Sequence, residues 1–230
     1  VTGYILPIKE IFEESKKYGC INVLDSAQSM GLIEIRADLL KVDLIAFAGH
    51  KTLYGPFGIG GFINVSGISL EVFICGGTGS DSLNLEMPDG NETRYETASS
   101  NIVAIAGLNA ALKDLDQKKC LKHENKLTDY LIKQLLTIKE VHMYLPENME
   151  KHVGIVSLNV KGFSAEDIGL ILDEDFDIAV RTGYHCAPFI HKFLKDSDSL
   201  GTIRIGLGQF SLEQDINELV YAIKDILGGN

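Results

Sequence analysis

The sequence predicts an α/β protein, with a mostly parallel sheet in its larger first region and a smaller α+β unit at its end. Three observations predict this. The runs 20–24, 42–48 and 60–65 are short, apolar and of strand length, as strands covered on both faces of a parallel sheet are. Helical stretches lie between or after them, which is the α/β arrangement. The last third carries short strand patterns between amphipathic helices.

In order, Pro7 to Tyr18 reads as an amphipathic helix. Pro7 suits a first turn, Ile8, Ile11 and Phe12 share a face, and Gly19 follows the end. Cys20 to Leu24 is a strand closing on Asp25. Val42 to Ala48 is a second, closing on Gly49-His50-Lys51, and Gly60 to Val65 is a third. Gly76 to Ser100 is rich in Gly, Ser, Asp, Asn and Pro; a loop that long is usually functional or poorly ordered. Asn101 to Leu136 reads as long helical structure with a break near 118–122. Val153 to Val160 alternates like a strand. Ser164 is a helix N-cap, with Glu166 and Asp167 in the first turn. Ile178 to Arg181 and Thr202 to Leu207 are short strands. Ser211 caps a last helix whose apolar side holds Leu212, Ile216, Leu219, Val220 and Ile223. The boundary is expected after the long helix, giving regions 1–138 and 139–230. There is no internal repeat.

Composition narrows the class. Hydrophobic residues make up 45% and charged residues 23%, a globular balance for 230 residues. With 21 Lys and Arg against 32 Asp and Glu, the net charge is −11, which disfavours nucleic acid and anionic membranes as partners. No apolar run reaches the ~18–20 residues of a membrane span. Cys20, Cys75, Cys120 and Cys186 lie far apart with no CxxC pair, so reduced thiols and a cytoplasmic home are expected. No signal peptide opens the chain. It begins at Val1 inside a turn-like Val-Thr-Gly-Tyr, which reads as a cut from something longer.

Ligands of open α/β sheets bind beyond the carboxyl ends of the strands. Two such ends carry polar groups here: Asp25-Ser26-Ala27-Gln28 and His50-Lys51. Taken singly, Asp25 reads more readily as a loop cap and Lys51 as a surface lysine. Together they suit pyridoxal 5′-phosphate (PLP), which needs an amine for its Schiff base and an acid for its pyridine nitrogen. Asp25 suits the second role, since a carboxylate favours the protonated ring. Gln28 is spaced to reach the ring hydroxyl, and His50 to lie beside the ring or assist proton transfer.

Leu24-Asp25-Ser26-Ala27-Gln28, with Phe47-Ala48-Gly49-His50-Lys51-Thr52-Leu53-Tyr54-Gly55-Pro56-Phe57-Gly58-Ile59-Gly60-Gly61, resembles the class V aminotransferase family, and most of all its cysteine desulfurases. The resemblance implies the fold of type I PLP-dependent transferases. It assigns Asp25 to the pyridine nitrogen, Gln28 to the ring oxygen and Lys51 to the covalent link. Arg94-Tyr95-Glu96-Thr97-Ala98-Ser99-Ser100-Asn101 resembles a family segment whose hydroxyl reaches the cofactor phosphate of the partner subunit, so Ser99 and a homodimer are implied. Ala98 stands where that segment has glycine. Ala48 stands where many relatives place a Ser or Thr phosphate ligand, removing a hydrogen bond worth ~1.5–3 kcal/mol.

Arg181-Thr182-Gly183-Tyr184-His185-Cys186-Ala187-Pro188 is the second motif. A cysteine in a Gly- and Pro-containing loop stands near an arginine and a histidine, and cations beside a thiol favour its thiolate. Buried, inert thiols are expected instead for Cys20, Cys75 and Cys120. A metal set of His185, Cys186 and His191 lacks a fourth ligand and the usual spacing, so no metal is expected. The motif resembles the short-loop (group II) cysteine desulfurases, the group that includes selenocysteine lyase. The resemblance makes Cys186 the residue that takes the substrate sulfur as a persulfide. Gly201-Thr202-Ile203-Arg204 resembles the segment whose arginine holds the substrate carboxylate, so Arg204 is implied there and Arg181 beside the cysteine loop.

The expected activity is removal of sulfur from L-cysteine to leave L-alanine, with the persulfide passed to an acceptor protein or a reductant, as in iron-sulfur cluster assembly. Selenocysteine lyase or another class V activity is the alternative, since one fold hosts several chemistries. A third reading is an inactive, N-terminally truncated chain. The family's front part supplies a histidine stacked on the ring, a phosphate loop and an asparagine ahead of the Val-Thr-Gly segment; none is assignable here.

Overall fold

The computed structural model describes residues 1–79, 83–89 and 92–228. They form two compact units: Pro7–Gln117, and Val1–Leu6 with Lys118–Asn230. Among the described residues no helix is long and apolar enough to cross a membrane.

The first unit opens with α1 (Ile8–Lys16), whose N-cap position is Pro7. It buries Phe12 against Leu24, Val42 and Ile45, while Ile11, expected on the same face, is exposed. Gly19 ends the helical turn with a left-handed φ of 71°. Strand β1 (Val23–Asp25) pairs in parallel with β2 (Leu44–Ala48), Asp25 opposite Ala46. The short helix α2 (Ala37–Leu40) lies between them in sequence and was not anticipated. Strand β3 (Gly60–Asn64) runs antiparallel to β2, against the expectation of a third parallel strand. Its connection holds no crossover helix, and a parallel return needs one of a dozen residues or more.

The runs also predict strands covered on both faces. Here Leu24 and Ile45 are buried, but Val23 is 55% and Ile63 46% exposed. The buried cluster around Leu24 and Ile45 is completed by residues of α1 and α2 together with Met30 and Ile35. Because β1 starts at Val23 rather than Cys20, Cys20 falls outside the sheet and is exposed; Cys75, in the segment after β3, is exposed too. The expected loop 76–100 is irregular where described, apart from one short turn of helix at Glu92–Arg94. Its residues 80–82, 90 and 91 lie outside the described set. Helix α3 (Ile102–Asp114) is capped by the Asn101 side chain, which accepts the Ala104 N–H.

At the amino end of the sheet sits the buried Asp43 carboxylate. It accepts hydrogen bonds from Lys16 Nζ (2.5 Å), the Asn22 N–H (2.7 Å) and Ser66 Oγ (2.6 Å). Asn22 in turn donates to the carbonyls of Phe12 and Lys41.

The second unit begins with α4 (Gln117–Leu135), separated from α3 at Leu115–Asp116, just before the expected break. Its buried stripe of Cys120, Glu124, Leu127, Leu131 and Leu135 follows the helical period. Strand β4 (Val141–Met143) was not anticipated. It pairs antiparallel with β5 (Ile155–Val160). Helix α5 (Ala165–Phe176) has the expected cap: Ser164 Oγ accepts the Asp167 N–H while Asp167 accepts the Ser164 N–H. The short α6 (His191–Leu194) precedes β6 (Ile203–Gly206), which pairs antiparallel with β5. The expected strand 178–181 is reduced to one reciprocal backbone pair between Arg181 and Arg204, since the chain leaves α5 through a left-handed Asp177 (φ 54°) and turns again at Gly183. Helix α7 (Glu213–Ile226) starts one residue later than expected. Asp215 accepts the Leu212 N–H, whereas Ser211 Oγ is engaged by the Gly208 N–H, so Ser211 is not the cap. Leu131, Leu158, Ile168, Ile203 and Ile216 lie at the centre of this unit's core.

The Lys16, Ser66 and Asn22 hydrogen bonds hold the Asp43 carboxyl at about 2, below its ordinary 3.8. Its stabilisation is present above the unfolded value and is lost as pH falls through the folded one. Urea unfolding of the chain between about pH 5 and pH 2 should show that loss, and Asp43→Asn should flatten it while being less stable near neutrality. An unchanged pH dependence in the variant would rule out this linkage.

Candidate functional site

The sequence-predicted residues form two constellations, one in each unit. In the first, Asp25 ends β1 and His50-Lys51 follow the end of β2, so parallel pairing sets both on the carboxyl edge of the sheet. One Asp25 oxygen accepts the Ala27 N–H at 2.9 Å. Ser26 ties the turn down by donating both its N–H and Oγ to the Ala46 carbonyl. Gln28 and Lys51 are exposed, and among the described residues neither side chain has a hydrogen-bond or ion-pair partner.

The lysine turn is tightly packed. Gly49 donates to the Ile59 carbonyl and accepts from the Gly55 N–H, and Tyr54 takes a left-handed φ of 56° to donate back to the Lys51 carbonyl. A Cβ at Gly55 would fall 2.8 Å from both the Gly49 oxygen and the Leu108 side chain of α3. These glycines let α3 press on the turn, so Lys51 emerges from a fixed base. His50 stacks on Phe57 at 4.9 Å between ring centroids.

Ser99 is exposed on the segment leading into α3. The preceding Ala98 holds φ 63° and donates to the Gly77 carbonyl. The left-handed path is thus kept without glycine, at a cost of roughly 1–2 kcal/mol. Tyr95 anchors the segment, packing edge-on against Phe62 of β3 and engaging the Leu70 backbone.

In the second unit, Cys186 lies on an exposed turn between Tyr184 and Ala187, closed by the Ala187 N–H to the Tyr184 carbonyl. His185 (φ 51°) and Cys186 (φ 61°) are both left-handed, a pairing that favours Asn and Gly and costs side-chain-bearing residues roughly 1–2 kcal/mol each. Arg181 Nη2 donates to Cys186 Sγ at 3.0 Å. Arg181 and Arg204 are joined through their backbones, so both guanidinium groups belong to this corner. Burial, and next the charge of Arg181, lower the Arg204 pKa from its ordinary value. Among the described residues no acidic side chain forms an ion pair with either arginine.

His185 turns inward. Its Nε2 lies 2.8 Å from Thr202 Oγ1 and 3.0 Å from the Thr202 carbonyl, so Nε2–H is the donor and buried Nδ1 has no partner. Burial first, and then Arg204, push its pKa down to about 4, so it is neutral and fastens the loop to β6. Three residues that sequence reasoning left out complete the corner. Thr202 receives His185, and buried His191 engages both Asp196 and the Tyr184 carbonyl. His191 carried a signal only as a metal ligand. Asp196, in a run of Asp and Ser, carried none. Among the described residues no cluster of His, Cys, Asp or Glu could hold a metal ion.

An amine and a carboxylate stand on the carboxyl edge of an α/β sheet, and a cysteine loop with two arginines lies in the α+β unit that follows in sequence. The comparisons identify the family. The family model "Aminotransferase class-V" matches residues 1–219, and the chain belongs to that family. It is 32% identical to a probable cysteine desulfurase of Pyrococcus abyssi, over 98% of this chain and 57% of that protein. The apo structure of a cysteine desulfurase from Thermococcus onnurineus NA1 superposes with a TM-score of 0.88 at 30% identity, covering 99% of this chain and 57% of that one. An Escherichia coli cysteine desulfurase shares the fold, with a TM-score of 0.82 at 21% identity. The chain thus spans a little over half the length of these relatives.

The cysteine turn rests on Gly201. It holds φ 105°, and a Cβ there would fall 2.5 Å from the Gly183 carbonyl oxygen, where Gly183 and Thr202 exchange backbone hydrogen bonds. Gly201→Ala should therefore destabilise the chain by about 1–3 kcal/mol, measured by urea unfolding. A loss within error would show that the loop yields freely.

Proposed function

We propose that this chain carries the cofactor lysine and the sulfur-accepting cysteine of a PLP-dependent cysteine desulfurase acting on L-cysteine. The observation that carries the reading is Cys186: an exposed thiol on a strained turn, contacted by Arg181 at 3.0 Å. The similarity to proteins named cysteine desulfurases supports it.

The donor set suits the cofactor. Lys51 has a partner-free amine among the described residues, and Asp25 is held by the Ala27 N–H with an oxygen to spare. Lys51 would hold the group covalently, Asp25 would face its pyridine nitrogen, and Gln28 and Ser99 would reach its oxygens. When bound, PLP supplies an electron sink for the substrate α-carbon.

The remaining steps belong to the chain's own residues. Arg204 would hold the substrate carboxylate, a role its unpaired, half-buried guanidinium suits. Lys51 Nζ, freed by the incoming amine, would move a proton at the α-carbon, with His50 beside it. Cys186 Sγ would then attack the substrate sulfur. A sulfur–sulfur bond forms as the carbon–sulfur bond breaks, the bonding electrons stay with carbon, and protonation leaves alanine and a persulfide on Cys186. A reductant or the thiol of an acceptor protein would remove that sulfur. Arg181 would steady the charge on Cys186.

Ser99 would act across a homodimer. Ile102 and Val103, just beyond it, stand 73% and 79% exposed, as residues awaiting a second copy would. Reduced thiols at the four cysteines suit a cytoplasmic setting.

In the full-length protein, Cys186→Ala should keep the cofactor's absorbance yet lose alanine formation from cysteine. Lys51→Ala should lose both turnover and borohydride-fixed cofactor. Desulfuration that survives Cys186→Ala would refute the role of the thiol, and cofactor still fixed by borohydride in Lys51→Ala would refute that of the lysine.

A further inference from the structure

The turn that carries Cys186 has an unfavourable backbone, closed by the Ala187 N–H to the Tyr184 carbonyl, so its surroundings must help hold it. Beneath it lies a polar pair that the proposed chemistry does not use. His191, at the start of α6, is 5% exposed, and Asp196, just after α6, is 3% exposed. His191 Nδ1 lies 2.5 Å from Asp196 Oδ2, and Nε2 lies 3.2 Å from the Tyr184 carbonyl oxygen. A carbonyl oxygen can only accept, so Nε2 is the donor in the contact with Tyr184.

We propose that His191, oriented by Asp196, is a positioning residue that locks the Cys186 turn through the Tyr184 carbonyl. That carbonyl is the atom that closes the turn. One of its lone pairs takes the Ala187 N–H at 2.9 Å, and the other takes His191. Asp196 is itself anchored, since its backbone carbonyl accepts the Ser199 N–H at 3.0 Å and the Gly201 N–H at 3.4 Å. Next to Gly201, Thr202 exchanges two backbone hydrogen bonds with Gly183, immediately before the turn. A closed circuit therefore runs from Gly183 through Tyr184, His191, Asp196 and Gly201 to Thr202. Cys186 sits on its outer side.

Packing alone does not require such a pair. Burying polar groups costs free energy that a hydrogen bond between them at best offsets. A donor aimed at the one carbonyl that defines the turn gives this pair a specific task. The tilted His185 ring, 6.0 Å from His191, and the edge-on Tyr184 ring, at 5.1 Å, fill the space around it. The importance of the lock for catalysis rests on Cys186 being the sulfur-accepting thiol.

The test uses the full-length, PLP-loaded protein with His191→Ala, His191→Gln and Asp196→Asn. Backbone amide exchange is followed at Ala187 and, for reference, at Val156 and Ile205 in the β5–β6 pair. His191→Ala should speed Ala187 exchange by about tenfold or more while the strand amides stay within about twofold. The kcat for alanine formation should fall by about tenfold or more with KM for cysteine nearly unchanged, as expected when a reacting group is misplaced. His191→Gln, whose amide can still donate to the Tyr184 carbonyl, should recover most of both losses, and Asp196→Asn should fall between. If His191→Ala does not fold, the other two variants carry the comparison. Unchanged Ala187 exchange would overturn the proposal, as would exchange that rises equally in the strands. So would an intact kcat on a loosened turn. Should Cys186→Ala keep its desulfuration, the proposed function fails, and the exchange result still decides whether His191 holds the turn.

Discussion

The Asp43 carboxylate fixes the frame of the first unit. It is buried, and it gathers donors from α1, from the residue before β1 and from Ser66, two residues past the end of β3. Three charge-assisted hydrogen bonds on one group leave little freedom to the strand ends they join. The register that follows sets Val23 against Leu44 and Asp25 against Ala46. A slip of one residue would turn every side chain to the opposite face. Asp25 and Lys51 occupy the far edge of the same sheet, so a polar knot at one end determines which groups stand together at the other.

The second unit solves a different problem. Its apolar core, from Leu127 to Ile223, is ordinary, and the unusual features gather at one corner. The left-handed His185 and Cys186, a glycine that tolerates no Cβ, a neutral buried histidine and a buried His-Asp pair all lie within the segments 181–187 and 191–204. Local strain persists only where the surroundings over-determine it. Here β6 supplies the rigid edge, and Thr202, Asp196 and Tyr184 supply the polar contacts. The result is an exposed cysteine on a turn whose backbone is fixed from within.

Both groups proposed for the chemistry share one design. Lys51 and Cys186 emerge from backbones pinned by glycine contacts and backbone hydrogen bonds. Binding groups placed on rigid supports lose less entropy when they engage a ligand. The departures from the family pattern follow the same logic. Ala98 keeps the left-handed path of a glycine because its N–H is held by Gly77, while Ala48 remains a regular residue of β2.

Much of this was legible in the residue order. The apolar runs located β1, β2 and β3, Ser164 announced the cap of α5, and the period of α4 marked its buried stripe. Strand ends and loop composition singled out Asp25, Lys51 and Cys186 as candidates, and the family resemblance added Arg204. Local pattern could not reveal the antiparallel return of β3, the exposure of Val23, Ile63 and Cys20, or the release of Ser211 from its expected cap. Each of these depends on which distant segment supplies the partner. The same holds for His191 and Asp196, which become one device only when the chain folds their pair beneath Tyr184. The sequence by itself therefore determined the family, the element types and the candidate reactive groups. Tertiary structure alone decided strand direction, burial and the support beneath Cys186, because hydrogen-bond partners and solvent exclusion are properties of space rather than of sequence.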